Sequence, residues 1–419
     1  MKNLLTTLLV FITLAVSAQE FGVSAEIRPR YENRHGFGNL LETDQKGESF
    51  VSQRTRLNLG FTHEKIKIGV SLQNAGVWGD SKTMDKAGKG ITFYTAWAEG
   101  IISEQFSVKL GRQIIAYDDQ RIFGSVGWAQ SGRSHDALVA HWKISDKSKL
   151  DVGLALNSDG EISTETLYSN IAGYKAFQYA WFHHDFEHVG LSVLALNNGV
   201  EFEDTNMDIE INYSQTIGSH VTFKKDRFIS DFSAYFQTGK LRSNSVSASN
   251  FSGNVKFKIT QEFLVGLGAE YLSGKDMNDT SSTMKSFNPL YGTNHKFNGW
   301  MDYFYVGNHG GNVGLVDVNI VTSYSKNKFF AKAIPHFFSA AADVYNGPTK
   351  MDDYLGFELD LTAGYKFTKS IVFEAGFSSM FATESMEVVK GGGDSNEGNY
   401  WGWAQVTFKP NLFKSKPKA

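Results

Sequence analysis

Two pairs of arginines near the start of the chain carry the clearest chemistry in the sequence. Arg28 and Arg30 are two residues apart, and so are Arg54 and Arg56. A strand sends residues i and i+2 to the same face, so each pair would present two guanidinium groups side by side. Guanidinium binds carboxylate through two parallel hydrogen bonds, which lysine cannot do. The four side chains therefore predict a surface that attracts organic anions.

Other charged residues extend this surface and oppose it. Lys67 and Lys109 fall on the same face of their own predicted strands, whereas Glu358, Asp360 and Glu374 lie on late strands. If the sheet closes on itself, the late strands lie beside the first ones, and a basic wall meets an acidic wall at the seam. Buried charges are usually paired. Two interpretations stay open: a path for a charged solute, or ion pairs that stiffen the wall.

A third set of charges lies in one stretch from Gly111 to Leu138, GRQIIAYDDQRIFGSVGWAQSGRSHDAL. Gly124 and Gly127 permit sharp backbone turns. We expect the stretch to fold into the interior as a constriction held by ion pairs, and the alternative is a plain surface loop. The charged residues concerned are Arg112, Arg121, Arg133, Asp118, Asp119 and Asp136.

Signals for catalysis and for metal binding are weak. His183, His184 and His188 cluster with Asp185, but they fall at a predicted short turn, where histidines are usually solvated, and show no fixed ligand spacing. The sequence has no Cys, which excludes disulfides and thiolate sites. No Ser-His-Asp arrangement has a supporting elbow motif. We therefore predict no catalytic residue, no metal and no cofactor, and a protein that is not an enzyme.

The segments that would carry these residues alternate with period two. From Phe21 to Glu32 the odd positions are mostly apolar and the even ones mostly polar or charged, and the pattern recurs from Leu57 to Phe61, from Leu150 to Asn157 and from Leu355 to Ala363. Alternation predicts strands with one apolar face. An Arg or Lys facing lipid at the bilayer midplane costs roughly 2–4 kcal/mol. The charged faces are therefore expected inside a barrel.

The connections between these strands alternate in length. Short polar turns, such as 63–65, 103–105 and 367–370, separate long polar stretches, such as 33–50, 117–134 and 274–312. Short turns at one end and long loops at the other are typical of bacterial outer-membrane barrels. We predict an all-β fold, a transmembrane antiparallel β-barrel of about 18 strands, with short periplasmic turns and long extracellular loops. A soluble all-β protein is the structural alternative.

Seven tryptophans lie mostly near predicted strand ends, where interfacial girdles place aromatic residues. We interpret them as such a girdle, and the alternative is ordinary core tryptophan. They are Trp78, Trp97, Trp128, Trp142, Trp181, Trp401 and Trp403.

The first eighteen residues have the three parts of a secretory signal peptide. Lys2 supplies the positive start, 4–16 the apolar middle, and Val16-Ser17-Ala18 the small-residue cleavage site. We divide the chain into a signal peptide, 1–18, and a single barrel, 19–419, in the cell outer membrane. The formal net charge of −3 gives no reason to propose a nucleic-acid partner.

Several motifs resemble the alginate-export (AlgE-like) outer-membrane family. The run from Gly111 to Leu138 is similar to its central motif, and EIRPRYENR and QRTRLNLGF are similar to its first two strands. The resemblance implies an eighteen-stranded barrel that passes an anionic uronic-acid polymer through an arginine-rich lumen. The positions that match its basic motifs are Arg28, Arg30, Arg54, Arg56, Arg112, Arg121 and Arg133.

The function expected from the sequence is a channel for anionic saccharides, either polymers or oligomers. Its lumen would be lined by the nine basic residues Arg28, Arg30, Arg54, Arg56, Lys67, Lys109, Arg112, Arg121 and Arg133. The alternatives are a general or small-acid porin and a polysaccharide receptor or adhesin. In the receptor, Trp300, Tyr303 and Tyr305 of the longest loop would stack on sugars. Expected partners are an anionic saccharide and outer-membrane lipid, and the expected state is a monomer.

Overall fold

A computed structural model describes residues 19–84, 90–169 and 173–415, and the predicted signal peptide lies outside these residues. The described chain forms a closed antiparallel barrel of 18 strands. The first nine are β1 (Glu20–His35), β2 (Glu48–His63), β3 (Ile66–Val77), β4 (Thr92–Ile101), β5 (Phe106–Gln113), β6 (His135–Lys143), β7 (Ser148–Leu156), β8 (Ala176–Asp185) and β9 (Val189–Glu203). The others are β10 (Ile209–Lys225), β11 (Phe228–Leu241), β12 (Ala248–Lys258), β13 (Phe263–Leu272), β14 (Leu315–Lys326), β15 (Phe329–Ser339), β16 (Tyr354–Lys366), β17 (Ile371–Ala382) and β18 (Asn399–Phe408).

The last strand pairs with the first and closes the barrel. Trp403 of β18 lies opposite Glu32 of β1 in this ladder. Beyond β18, the segment Asn411–Lys414 continues along the start of β1, with Phe413 opposite Val23. The predicted fold class and strand number are therefore confirmed.

Connections of two to four residues lie at one end of the barrel, the short-turn end, and both described chain ends lie there too. The long loops lie at the opposite, long-loop end, as predicted. The sequence did not single out one of them, residues 340–353 between β15 and β16. Two helical segments, the 3₁₀ turn Asn294–Lys296 and α1 (Glu384–Lys390), belong to long loops. No helix in the described ranges is long and apolar enough to cross a bilayer.

An apolar belt covers the outside of the wall. Leu267 on β13 is 62% exposed, and Phe236 on β11 and Phe381 on β17 are exposed as well. The alternate residues face inward and are polar, such as Glu270 and Asp317, which are both buried. A closed sheet with this belt has no edge to expose to lipid.

The interpretation of the tryptophans as a girdle is wrong for most of them. Only Trp78 and Trp142 are exposed on the outside, whereas Trp401 and Trp403 are buried in the lumen. The reason is the phase of the alternation: Trp401 and Trp403 are in step with Gln405, which is also buried, so the strand sends all three inward. A position near a strand end does not tell whether a side chain faces the lipid or the lumen. Trp97, Trp128 and Trp181 are inside the barrel as well.

The belt predicts a depth-dependent response to charge. Leu267→Arg places a cation on the lipid face near the middle of β13 and should lower the free energy of unfolding from lipid vesicles by about 2–4 kcal/mol. Asn319→Arg places the same cation on the inner face of the neighbouring strand β14 and should cost much less. Urea titration of folding into vesicles measures both. Equal losses would contradict the assignment of the two faces.

Candidate functional site: two loops inside the barrel

Two long loops fold back into the lumen and meet there. We call residues 114–134, between β5 and β6, the first inner loop, and residues 273–314, between β13 and β14, the second inner loop. The backbone N–H of Gly124 donates to the carbonyl oxygen of Tyr291 (2.8 Å), and that of Thr293 donates to Gln120 (2.9 Å). The loops therefore form one continuous structure across the barrel.

The four arginines of β1 and β2 hold the first inner loop against the wall. Arg28 donates to the carbonyl oxygens of Gly127 (2.9 Å) and Trp128 (2.8 Å), and Arg30 donates to that of Trp128 (3.0 Å) while its guanidinium lies 4.1 Å from the centre of the same indole ring. Each carbonyl oxygen is an acceptor that loop backbone inside a barrel would otherwise leave unpaired.

The second pair extends the same contact along the loop. Arg54 donates to the carbonyl oxygen of Ala129 (3.2 Å), and Arg56 donates to that of Ser131 (3.1 Å). We call these four residues, Arg28, Arg30, Arg54 and Arg56, the arginine clamp. All four are buried, so their guanidinium groups are occupied by the loop instead of facing an open path.

Carboxylates on β1 balance part of this charge. Glu26 pairs with Arg54 (2.5 Å), and Glu32 pairs with Arg30 (2.9 Å). The structure thus combines ion pairs with a role that sequence reasoning did not consider, namely donation to loop backbone.

The acidic residues of the late strands bind the backbone of the second inner loop. Glu358 and Asp360 of β16 accept hydrogen bonds from the backbone N–H groups of Met301 (2.9 Å) and Trp300 (3.0 Å). The expectation that this wall meets the basic one at the seam is wrong, because β17 and β18 lie between β16 and β1. The indole rings of Trp401 and Trp403 on β18 fill the space between the two sets of charges. Glu374, on β17, instead accepts a hydrogen bond from Gln405 (3.3 Å).

Arg121 links the two inner loops to the wall. It is almost fully buried and donates to Glu270 of β13 (2.7 Å) and to Asn298 of the second inner loop (2.8 Å). Its guanidinium also lies 4.1 Å from the centre of the Phe297 ring. Arg121 therefore connects the two inner loops to the wall inside the constriction, and its side chain is not accessible to a solute.

Aromatic side chains close the lumen beside β8 and β9. Phe123 of the first inner loop contacts Phe177 and Tyr179 of β8, with ring centres 5.7 and 4.9 Å apart, and all three are buried. Leu194 and Leu196 of β9 are buried at the same level. These side chains form an apolar layer that separates a cavity on the long-loop side from one on the short-turn side.

The outer cavity, on the long-loop side, has a volume of about 600 Å³ and a positive lining. Its charged lining residues in the described chain are Arg112, Arg133, Arg242 and Asp136. Arg112 pairs with Asp136 (2.7 Å). Arg133 donates to the carbonyl oxygen of Gly292 (2.9 Å), has no carboxylate partner among the described residues, and has its pKa lowered by burial.

The floor of this cavity is made of ring side chains. His135, Tyr174 and Tyr291 contact one another, with ring centres 5.2 to 5.7 Å apart. Tyr174 Oη lies 3.0 Å from His135 Nδ1, while Nε2 of this buried histidine has no hydrogen-bond partner in the described chain. The cavity therefore offers a guanidinium and flat ring faces to a ligand, while the imidazole nitrogen is buried beneath its floor.

The inner cavity, on the short-turn side, has a volume of about 610 Å³ and mixed charge. Its lysines face carboxylates: Lys256 lies 3.6 Å from Asp231, and burial lowers the pKa of Lys296 while the nearby Asp119 raises it. In a separate cavity lined by β1–β4 at the same end of the barrel, Lys67 pairs with Glu99 (3.6 Å). Lys109 lies 3.9 Å from the centre of the Trp97 ring.

The histidine cluster does not form a metal site. His183 contacts Ser192 (2.8 Å) and Asp185 (3.1 Å), and His184 contacts Ser148 (2.6 Å). Among the described residues no three His, Cys, Asp or Glu side chains are placed to hold a metal ion.

Sequence reasoning missed the inward fold of the second inner loop. Tyr303 and Tyr305, expected at the surface to bind sugars, are buried together with Met301 and Phe304. The apolar run WMDYFYV from Trp300 was the available signal, because such a run inside a polar loop indicates burial.

Known structures share this fold. The chain aligns over 95% of its length with 99% of OccAB4 from Acinetobacter baumannii, at a TM-score of 0.63 and 11% identity. OccK9 (OpdG) from Pseudomonas aeruginosa gives a TM-score of 0.63 at 12% identity, covering 94% of this chain and 98% of that one. A BenF-like porin from Pseudomonas fluorescens Pf-5 gives 0.61 at 13%, covering 94% and 99%.

No family model and no curated protein matches the sequence. The likeness to these structures establishes the fold, which is that of outer-membrane porins. The finer resemblance to the alginate-export family has no support from either sequence comparison.

The clamp predicts that removing arginines loosens the first inner loop. The double variant Arg28→Gln, Arg54→Gln should raise single-channel conductance in planar bilayers and add slow current fluctuations, because the loop loses the arginine donors for Gly127 and Ala129 and keeps only Arg30 at Trp128. The control, Lys67→Gln with Lys109→Gln, removes the same charge from the lumen without touching the loop. A shift in reversal potential with unchanged conductance in both variants would mean that the arginines act on ions and not on the loop.

A half-buried lysine should make the docking of the second inner loop sensitive to pH. The Lys390 ammonium of α1 donates to the carbonyl oxygen of Tyr303, and burial lowers the pKa of Lys390 to about 7. When the loop undocks, the lysine regains its ordinary pKa of about 10.4. Undocking therefore takes up a proton between these values, and docking should strengthen as pH rises from about 7 to 10.

Amide hydrogen exchange in residues 299–306 measures this linkage. After correction for intrinsic exchange rates, protection should rise across that pH window in the native protein and stay flat in Lys390→Met. The same rise in both proteins would contradict a role for this lysine.

Proposed function

We propose that the protein is an outer-membrane channel for small organic anions. The observation that carries the proposal is the outer cavity, in which three arginines face one carboxylate and Arg133 lacks an acidic partner. A positive, partly enclosed cavity concentrates anions by Coulomb attraction. The solute enters from the long-loop side and passes between the inner loops to the inner cavity.

The residues predicted to line the path take different parts in this proposal. Arg133 contacts the solute directly, and Arg112, held by Asp136, adds to the field at the entrance. Lys67 and Lys109 lie beyond the constriction, at the exit. The arginine clamp and Arg121 set the width of the passage, since loop backbone and Glu270 occupy their donors.

Small solutes fit this geometry better than a polymer. A uronic-acid polymer, which the alginate-export resemblance implies, needs a continuous wide path, and the two inner loops cross the lumen. Polymer passage would require both loops to leave the barrel and more than a dozen hydrogen bonds from wall to loop to break, each worth about 0.5–1.5 kcal/mol. A small acid needs only a limited displacement at the loop junction.

The test is flux into liposomes of glucuronate against glucose, two solutes of nearly equal size. Glucuronate should pass faster, and Arg133→Gln should reduce its rate roughly fivefold, which corresponds to about 1 kcal/mol of lost attraction. Arg133→Lys keeps the charge and should retain most of the rate. Glucose flux should not change in either variant, which shows that the pore is intact.

Other results lead to the alternatives. Equal rates for the two solutes would make the protein a general porin. Transport of neither solute, with tight binding at the long-loop end, would favour a receptor and contradict the proposal.

A further inference from the structure

The charges on the rim of the short-turn end are unevenly distributed. We define the basic arc as the four connections between β10 and β17, each taken with the last residue of the preceding strand: 225–227, 258–262, 326–328 and 366–370. These segments hold seven basic and two acidic residues. The four corresponding segments between β2 and β9 hold three basic and five acidic residues. One half of the rim is thus positive and the other half is slightly negative.

The cations of the basic arc are not neutralised by the protein. None of its seven basic residues forms an ion pair with a described residue, in contrast to Lys143 in the other half, which pairs with Asp146 (2.6 Å). Lys225, Lys326 and Lys369 are exposed. Within the described ranges, the side chains of Arg227 and Lys328 donate to carbonyl oxygens, those of Ile259 (3.4 Å) and Phe367 (3.0 Å).

Aromatic residues fix the height of the arc relative to the membrane. Rings flank three of its turns in contacting pairs: Phe223 with Phe228, Tyr324 with Phe329, and Tyr365 with Phe367. Phe223 is half-buried and the other five rings are exposed. Such outward rings mark the boundary between hydrocarbon and headgroups. The lysines one to four residues away from these rings therefore stand at the level of the lipid phosphates.

We infer that the basic arc binds the headgroups of anionic phospholipids in the leaflet at the short-turn end. A basic residue near an anionic membrane surface contributes about 1 kcal/mol of attraction, and the unpaired lysines of the arc give no competing ion pair to break. Because the cations are confined to one half of the rim, anionic lipid should gather beside β10–β17 and not around the whole barrel. This inference rests on the barrel and its belt and does not depend on which solute is transported.

The experiment uses the full-length mature protein in phosphatidylcholine nanodiscs with trace spin-labelled phosphatidylglycerol or phosphatidylcholine. Electron paramagnetic resonance gives the ratio of the two association constants. In the native protein, phosphatidylglycerol should associate about three times more strongly than phosphatidylcholine. In the triple variant Lys225→Gln, Lys326→Gln, Lys369→Gln, this ratio should fall close to one. The control Lys65→Gln, Lys143→Gln, Lys147→Gln loses the same charge from the other half of the rim and should keep the native ratio. Heat-modifiable gel mobility verifies that both variants are folded.

Salt and a soluble polyanion complete the test. In 1 M salt, where screening acts within about 3 Å, the preference of the native protein should disappear. The inference is overturned if the arc variant keeps its preference for phosphatidylglycerol or if the control loses it equally. Loss of inorganic polyphosphate binding in the arc variant, with lipid preference unchanged, would also overturn it and assign the arc to a soluble polyanion.

Discussion

The structure depends on one constraint: backbone that enters the lumen of a wide barrel needs hydrogen-bond partners. A barrel of 18 strands is too wide for wall side chains to fill, whereas a barrel of about eight is not. Loops must narrow it, and their amide groups lose access to bulk water as they do so. The arginine clamp meets this need with N–H groups that donate to loop carbonyl oxygens, and Glu358 with Asp360 meets it with carboxyl oxygens that accept from loop N–H groups.

These hydrogen bonds to loop backbone explain why charged residues are concentrated on the inner wall and yet are mostly unavailable to a solute. The arginines bind carbonyl oxygens of the first inner loop, and the carboxyl groups bind N–H groups of the second. Arg121 of the first inner loop contacts Asn298 of the second and Glu270 of the wall. The apolar layer around Phe123 then excludes water beside β8 and β9. Selectivity is left to residues outside the clamp, and Arg133 in the outer cavity is the best placed of them.

The wall could be predicted from the sequence because a strand has a period of two and lipid penalises charge. That rule placed Arg28 and Arg54 inside, and the alternation of short and long connections predicted which end of the barrel carries the turns and which carries the loops. Sequence reasoning failed for residues whose side of the wall depends on the exact alternation of their strand, and for residues whose burial depends on contacts distant in sequence. Trp401 and Trp403 were assigned by their position near a strand end, whereas their phase with Gln405 sends them inward. The burial of Tyr303 depends on hydrogen bonds from its neighbours to Glu358 and Asp360, some sixty residues away, which no local pattern encodes.

In the working channel the first inner loop rests against the arginine clamp. Gln130 Nε2 of this loop lies 3.0 Å from Ser52 Oγ of β2, and the chain has no native Cys. Because the glutamine side chain spans much of the gap between the two backbones, a direct disulfide would pull the loop out of place. In the variant Ser52→Cys with Gln130→Cys, a short bis-methanethiosulfonate reagent instead replaces the lost side chain and forms a unique, reducible crosslink. Single-channel conductance should be the same in the crosslinked and reduced states, because the crosslink holds the loop where it already lies. A conductance that falls on crosslinking and recovers on reduction would contradict this arrangement, since it would mean that the open channel requires the loop to leave the wall.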